Sequence, residues 1–166
     1  MIYKLRKNPL ICLFISLIGL LTGRLRISKQ YLDKSIKMKN RDKFKIFRHI
    51  TVSSLNKTNN ECIFIVSFKF AQLSHNANKL ASIIPMLLIT GFPGFVTKIY
   101  AVNPDNGYWQ GMYQWKSMKY LEDYKKSFVF NMMNKRAISK TIKSTVLKNQ
   151  KLADFIEDNC LFYNRK

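Results

Sequence analysis

Two residues of this chain are the candidates for catalysis, His75 and Tyr113, since imidazole and phenol can pass a proton to or from a bound molecule. His75 stands where a helix should begin, so it either caps that helix or faces a cavity. Around them lies a set of aromatic residues that could line an apolar pocket: Phe68, Tyr100, Trp109, Trp115, Tyr124 and Phe128. Lys98 and Gln114 are the polar groups able to orient a guest there. Aromatics at strand and helix spacing also bury well with no ligand, and Lys98 near Tyr100 reads more readily as a solvated or rim charge than as a pocket group. The chain has no nucleophile elbow, P-loop, G-x-G-x-x-G or H-E-x-x-H. Cys12, Cys62 and Cys160 are far apart and form no C-x-x-C, so neither a metal site nor a disulfide framework is expected. His49 has no second ligand at a useful spacing and reads as a surface residue. Cys12 and Cys62 read as small buried hydrophobes.

The elements that must hold these residues are clearest from residue 61 onward. Residues 61–70 (ECIFIVSFKF) alternate as a strand, with Cys62, Phe64, Val66, Phe68 and Phe70 on one side and Ile63 and Ile65 on the other. Both sides are apolar, so each should be covered. Residues 74–90 follow helical spacing through Leu80, Ile83, Ile84, Leu87 and Leu88, with Ser74, Asn76 and Asn78 as candidate caps. Pro85 predicts a kink or two short helices. Residues 91–115 read as a hairpin, two β-branched and aromatic runs about Asn103-Pro104-Asp105-Asn106-Gly107. Gly111 within the return strand marks a bulge or a close approach. Ser117 opens a helix to about Asn134, with Leu121, Tyr124, Phe128 and Met132 as its stripe. Residues 137–147 read as a last strand. Leu152, Phe155 and Ile156 suggest a short helix, with Phe162 and Tyr163 as its frayed end.

The order β–α–β–β–α–β gives an α+β, ferredoxin-like fold over residues 61–147, with helices on one face of a four-stranded sheet. The uncovered face and its aromatics predict a homodimer. Residues 148–166 form a C-terminal helix and tail.

The N-terminal third is different. Net charge over 166 residues is +20, and residues 1–60 hold 14 Lys/Arg against 2 Asp/Glu. Residues 1–23 pair a basic flank with an uncharged apolar run, just short of the about 20 residues needed to span a bilayer. The run reads as a short uncleaved anchor, a helix dipping into one leaflet, or a signal, with a buried core helix as the structural alternative. Residues 24–60 read as a basic arm or connector. Leu25, Leu32 and Ile36 suggest an amphipathic helix facing acidic lipid headgroups, and residues 44–55 an added strand or connector. Membrane association through residues 1–23, with a cytoplasmic core domain, is the expected location. Nucleic-acid binding has charge alone behind it and is disfavoured.

At the hairpin the chain resembles a known family. Pro93-Gly94-Phe95, Lys98-Ile99-Tyr100, Asn103-Pro104-Asp105-Asn106-Gly107 and Gly111-Met112-Tyr113-Gln114-Trp115 are similar to the YdhR-type monooxygenases of the dimeric α+β barrel superfamily, which are related in fold to antibiotic-biosynthesis monooxygenases. The likeness follows element order over residues 61–147 and is specific over 93–115. It implies a homodimer with a pocket between each sheet and its helices. It also implies oxygenation of a small lipophilic aromatic or quinone-like molecule, with no cofactor. A non-enzymatic ligand-binding or scaffolding dimer at the membrane is the alternative. The apolar N-terminus, the basic arm and the C-terminal helix lie outside the minimal fold.

Overall fold

The structure is a computed structural model that describes residues 7–38, 42–53, 60–71 and 74–163. The basic flank at residues 1–6 and most of the break expected at 56–60 lie outside these residues.

The ferredoxin-like core forms as the periodicity predicts. Its strands are β4 (Cys62–Phe68), β5 (Phe95–Val102), β6 (Trp109–Trp115) and β7 (Lys143–Lys148). They lie in the order β7-β4-β6-β5 and every pair is antiparallel. Helices α2 (His75–Ala81) and α3 (Ile83–Thr90) connect β4 to β5. The break falls at Ser82, which leaves Pro85 in the first turn of α3, where no N–H is needed. Between β6 and β7 the single helix expected is two, α4 (Met118–Lys125) and α5 (Phe128–Arg136). Ser127 separates them by accepting a hydrogen bond from the Phe130 N–H, as an N-cap does. In the hairpin loop the Asn103 side chain accepts from the N–H groups of Asp105 and Asn106, and Gly107 takes φ +74°.

Residues 25–38 correct the sequence reading: in place of a basic amphipathic helix they form β1 (Leu25–Ile27) and β2 (Ser35–Met38), while the added strand expected at 44–55 is β3 (Lys43–Val52). β3 pairs with β5 and carries the sheet onward through β2. The reason is period 2: Phe44 and Ile46 are buried while Lys43 and Lys45 are exposed. Positive φ at Gly23 and Asp33 interrupts any helix across this stretch. A register shift between Ile46 and Arg48 explains why the alternation in β3 reads as imperfect.

The C-terminal helix, α6 (Leu152–Asn159), packs Leu152, Phe155 and Ile156 against Ile63, Ile99 and Met112, the sheet face away from the other helices. Tyr31, Ile36, Phe44 and Ile46 join this cluster. The chain thus covers the centre of that face itself. After α6 the backbone forms β8 (Cys160–Tyr163), paired with β2, where a frayed end was expected.

The apolar run near the N-terminus is α1 (Pro9–Leu21), with Asn8 as its N-cap and Pro9 opening its first turn. Cys12, Ser16 and Gly19 are its buried side. The Ser16 hydroxyl donates to the Leu87 carbonyl and also meets Thr90 Oγ1 at 2.8 Å. Gly91 lies so close to Cys12 that any side chain there would collide with the Cys12 carbonyl. Among the described residues no helix is long and apolar enough to cross a membrane.

Candidate functional site

Strand register places the candidate residues in rows across the helix-facing side of the sheet. Phe68, Trp109 and Val102 form one row; Val66, Gly111 and Tyr100 the next; Phe64, Tyr113 and Lys98 the third. Gly111 is thus the one position in the middle row without a side chain. A Cβ there would stand 2.6 Å from Tyr113 Cε2, so the glycine makes room for that ring. The register runs through Gly111 unbroken, and the irregularity falls at Phe95–Thr97 instead.

A cavity of about 30 Å³ lies over Gly111. Tyr100, Tyr113, Trp109 and Phe68 wall it from the sheet, while Pro85 of α3 and Met133 and Arg136 of α5 close it from above. Helix packing positions this roof. Arg136 donates to Asn78 Oδ1 at 3.1 Å and to the Ala81 carbonyl at 3.4 Å, which joins α5 to α2. Arg48 reaches from β3 to Ser82 Oγ at 2.8 Å and to the Lys79 carbonyl at 3.1 Å.

Lys98 is the outstanding group. It is 2% exposed, where the sequence suggested a rim charge. The sequence signal was its place on a strand face otherwise occupied by Val96, Tyr100 and Val102. Its Nζ lies 3.8 Å from the Tyr100 ring centroid and 4.1 Å from that of Tyr113. Among the described residues no carboxylate forms an ion pair with it. Burial lowers its pKa well below that of a free lysine, and the neighbouring Arg48 lowers it further. The Tyr100 and Tyr113 phenols are both pushed well above their ordinary value, chiefly by burial. The Tyr100 hydroxyl is buried with no hydrogen-bond partner among the described residues.

Five of the sequence-selected residues therefore meet at the cavity: Phe68, Lys98, Tyr100, Trp109 and Tyr113. The others do not. His75 is exposed and sits behind Trp109, accepting the indole N–H at 3.2 Å and stacking on the ring. It can set the indole's orientation. Gln114 lies on the opposite face, donating to Glu61 and accepting the Leu152 N–H, each at 2.8 Å, so it ties down the start of α6. Trp115 and Tyr124 stack at 4.8 Å within the core, and Phe128 is exposed. Sequence reasoning passed over Gly111 as a floor, Met133 and Arg136 in the roof, and Arg48 behind Tyr100. Their contribution depends on which elements pack together, and the sequence carries little sign of that. His49 is also buried, not on the surface: it is 5% exposed and its Nε2 lies 3.0 Å from Thr97 Oγ1.

No protein-family model matches the chain, and no curated protein matches it. Solved structures do. An uncharacterised ferredoxin-fold protein from Listeria monocytogenes, related to antibiotic biosynthesis monooxygenases, superposes with TM-score 0.50 at 11% identity, over 68% of this chain and 67% of that one. A major regulator of staphylococcal pathogenesis gives TM-score 0.50 at 15% identity, over 83% and 93%. A proposed monooxygenase from Fusobacterium nucleatum gives TM-score 0.47 at 10% identity over 64% of this chain, which spans 49% of that one. At these identities the likeness is one of fold: an antiparallel α+β, ferredoxin-like sheet with its helices.

Proposed function

We propose that this chain is a monooxygenase that oxidises a small electron-rich aromatic, a phenol or a quinone precursor, in the cavity over Gly111, at a membrane surface. The observation that carries the reading is the buried amine of Lys98 against two tyrosine rings, with no carboxylate paired to it among the described residues. Burial lowers the pKa of this lysine, which moves its amine toward a base usable closer to neutral pH. It takes the phenolic proton, becoming an ammonium, and the substrate becomes an electron-rich aryl oxide. Tyr100 and Tyr113 keep their own protons and hold the new ammonium against their ring faces. Dioxygen then attacks the ring carbon para to the oxide. One oxygen atom stays as a carbonyl, the other leaves as water, and the overall change is phenol plus dioxygen to para-quinone plus water. This stoichiometry needs no external reductant. The YdhR-type likeness at residues 93–115 and the monooxygenase-related fold neighbours point the same way.

The cavity size favours a second reading, a non-enzymatic binding or scaffolding module. A space of about 30 Å³ admits water-sized guests, so an aromatic enters only if the roof yields. Met133 is the side chain suited to yield, being unbranched and adaptable.

The test is oxidation of 1-naphthol under ¹⁸O₂ by the purified chain and by a Lys98→Met variant. We expect ¹⁸O in the naphthoquinone and a rate about 100-fold or more lower in the variant, the scale of a lost general base. The rate should hold at pH values well below those at which a free lysine titrates. Absence of label, or a variant as fast as the parent, would leave the scaffolding reading.

A further inference from the structure

The charge around the cavity deepens this reading, on which the following rests, and names the substrate class. Lys98 and Arg136 line the cavity, and Arg48 stacks on Tyr100 with its Cζ 5.4 Å from the ring centroid. Among the described residues no acidic one lines it. The two guanidinium groups spend the hydrogen bonds described above on carbonyl, hydroxyl and amide oxygens, all of them neutral. Half-buried guanidinium groups with no negative partner are only partly compensated by water, and a site so built favours a guest that brings the missing charge. A second observation points into the same space: the buried Tyr100 hydroxyl has a donor to give and no acceptor. The walls are aromatic, so the guest should present a ring as well as an anionic oxygen.

We infer that the cavity over Gly111 selects aromatic anions, a ring bearing a carboxylate or a phenolate oxygen, with Lys98 and Tyr100 as the groups that meet the oxygen and Arg136 supplying charge from the roof. A phenol supplies that charge by giving its proton to Lys98, whereas a carboxylate arrives charged and its binding draws a proton from solvent onto the amine. The groups that decide this balance are those facing the amine: Tyr100, Tyr113 and Arg48, with Arg136 across the cavity.

Isothermal titration of the full chain with benzoate and with benzyl alcohol, its neutral near-isostere, tests the inference. We expect benzoate to bind at least about tenfold more tightly, the scale of one charge-assisted hydrogen bond. Titrations in buffers of different ionisation enthalpy should show proton uptake on benzoate binding and none with the alcohol. Lys98→Met should remove both the preference and the uptake. Should that variant fail to fold by circular dichroism, the parent's proton uptake decides alone. Equal or tighter binding of the alcohol, or benzoate binding without proton uptake, overturns the inference and leaves the oxygenase reading standing. Benzoate selectivity in a chain that puts no ¹⁸O into naphthol overturns the oxygenase and leaves the anion site. Binding of neither compound overturns both.

Discussion

At the scale of single residues, the decisive chemistry comes from polar groups where a sheet should have none. Lys98 was visible as a candidate, but its burial was not, because a lysine in a strand is usually at the surface. Its neighbours on the same strand face, all apolar or aromatic, were the available sign. His49 shows the same blindness. Burial pushes its pKa down to about 4, from an ordinary value of 6.5. Its Nδ1 is buried with no partner, and its ring lies 5.1 Å from that of Tyr31. Between those two pH values the unfolded chain carries a proton on this imidazole that the folded chain does not. The contribution of neutral His49 is therefore complete above about pH 6.5 and is lost as pH falls toward 4. Thermal melts taken from pH 7 down to 4.5 should show a falling midpoint, and His49→Gln should flatten that fall. An unchanged slope would assign it to other groups.

Among the elements, the core strands and the hairpin were legible because alternation and turn residues are local signals. The strand pattern of residues 43–52 was legible only in part, since the irregularity at Ile46–Arg48 shifts its phase. Helix α1 is the instructive case. The sequence showed an apolar run, and the structure gives it 13 residues, about 20 Å at 1.5 Å per residue, against a bilayer core of about 30 Å. One side of α1 docks on α3 and the Gly91 that follows it through Ser16 and Cys12, with Gly19 against Leu25 of β1, while Leu10, Phe14 and Leu21 on the other are 75%, 64% and 88% exposed. Ile84 of α3 is exposed too, and Arg24, Arg26 and Lys29 follow α1 on the surface. We propose that α1 lies in the plane of one leaflet, apolar side down, with these basic groups at acidic headgroups. The membrane association expected from the sequence then becomes peripheral, and deleting α1 would uncover α3 and confuse the result. Point changes are cleaner. The chain should sediment with vesicles containing phosphatidylserine and much less with pure phosphatidylcholine. Phe14→Glu combined with Leu21→Glu should abolish sedimentation while leaving the melt unchanged. Sedimentation that survives this pair would remove α1 as the contact.

For the whole molecule, element order over residues 61–147 was enough to give the fold, because βαββαβ leaves few ways to arrange four strands. What covers the second face was not legible. The sequence suggested a twin copy, since an uncovered apolar sheet needs some partner. That partner over Ile63, Ile99 and Met112 is α6 together with residues of β2 and β3, from parts of the chain that read as a tail and a basic arm. Such long-range pairing leaves no local pattern. The physical reason given for a homodimer is thus met within one chain. Light scattering in a mild detergent, which also shields α1, should report one chain per particle, and two would restore the homodimer. Part of the basic excess in the N-terminal third, read from the sequence as an arm, decorates a sheet extension instead, with Lys43 and Lys45 exposed on β3.

The pairing of β2 with β8 has a consequence for how the molecule is made. Their backbones are joined across roughly 120 residues of sequence, so one rim of the sheet is finished by residues synthesised long after the strand they pair with. At ribosomal speeds of about 5–20 residues per second, β2 waits on the order of ten seconds with its outer amides and carbonyls unmet. During translation that rim is a docking strip for any other nascent strand, and crowded polysomes are where this protein is most exposed to misassembly.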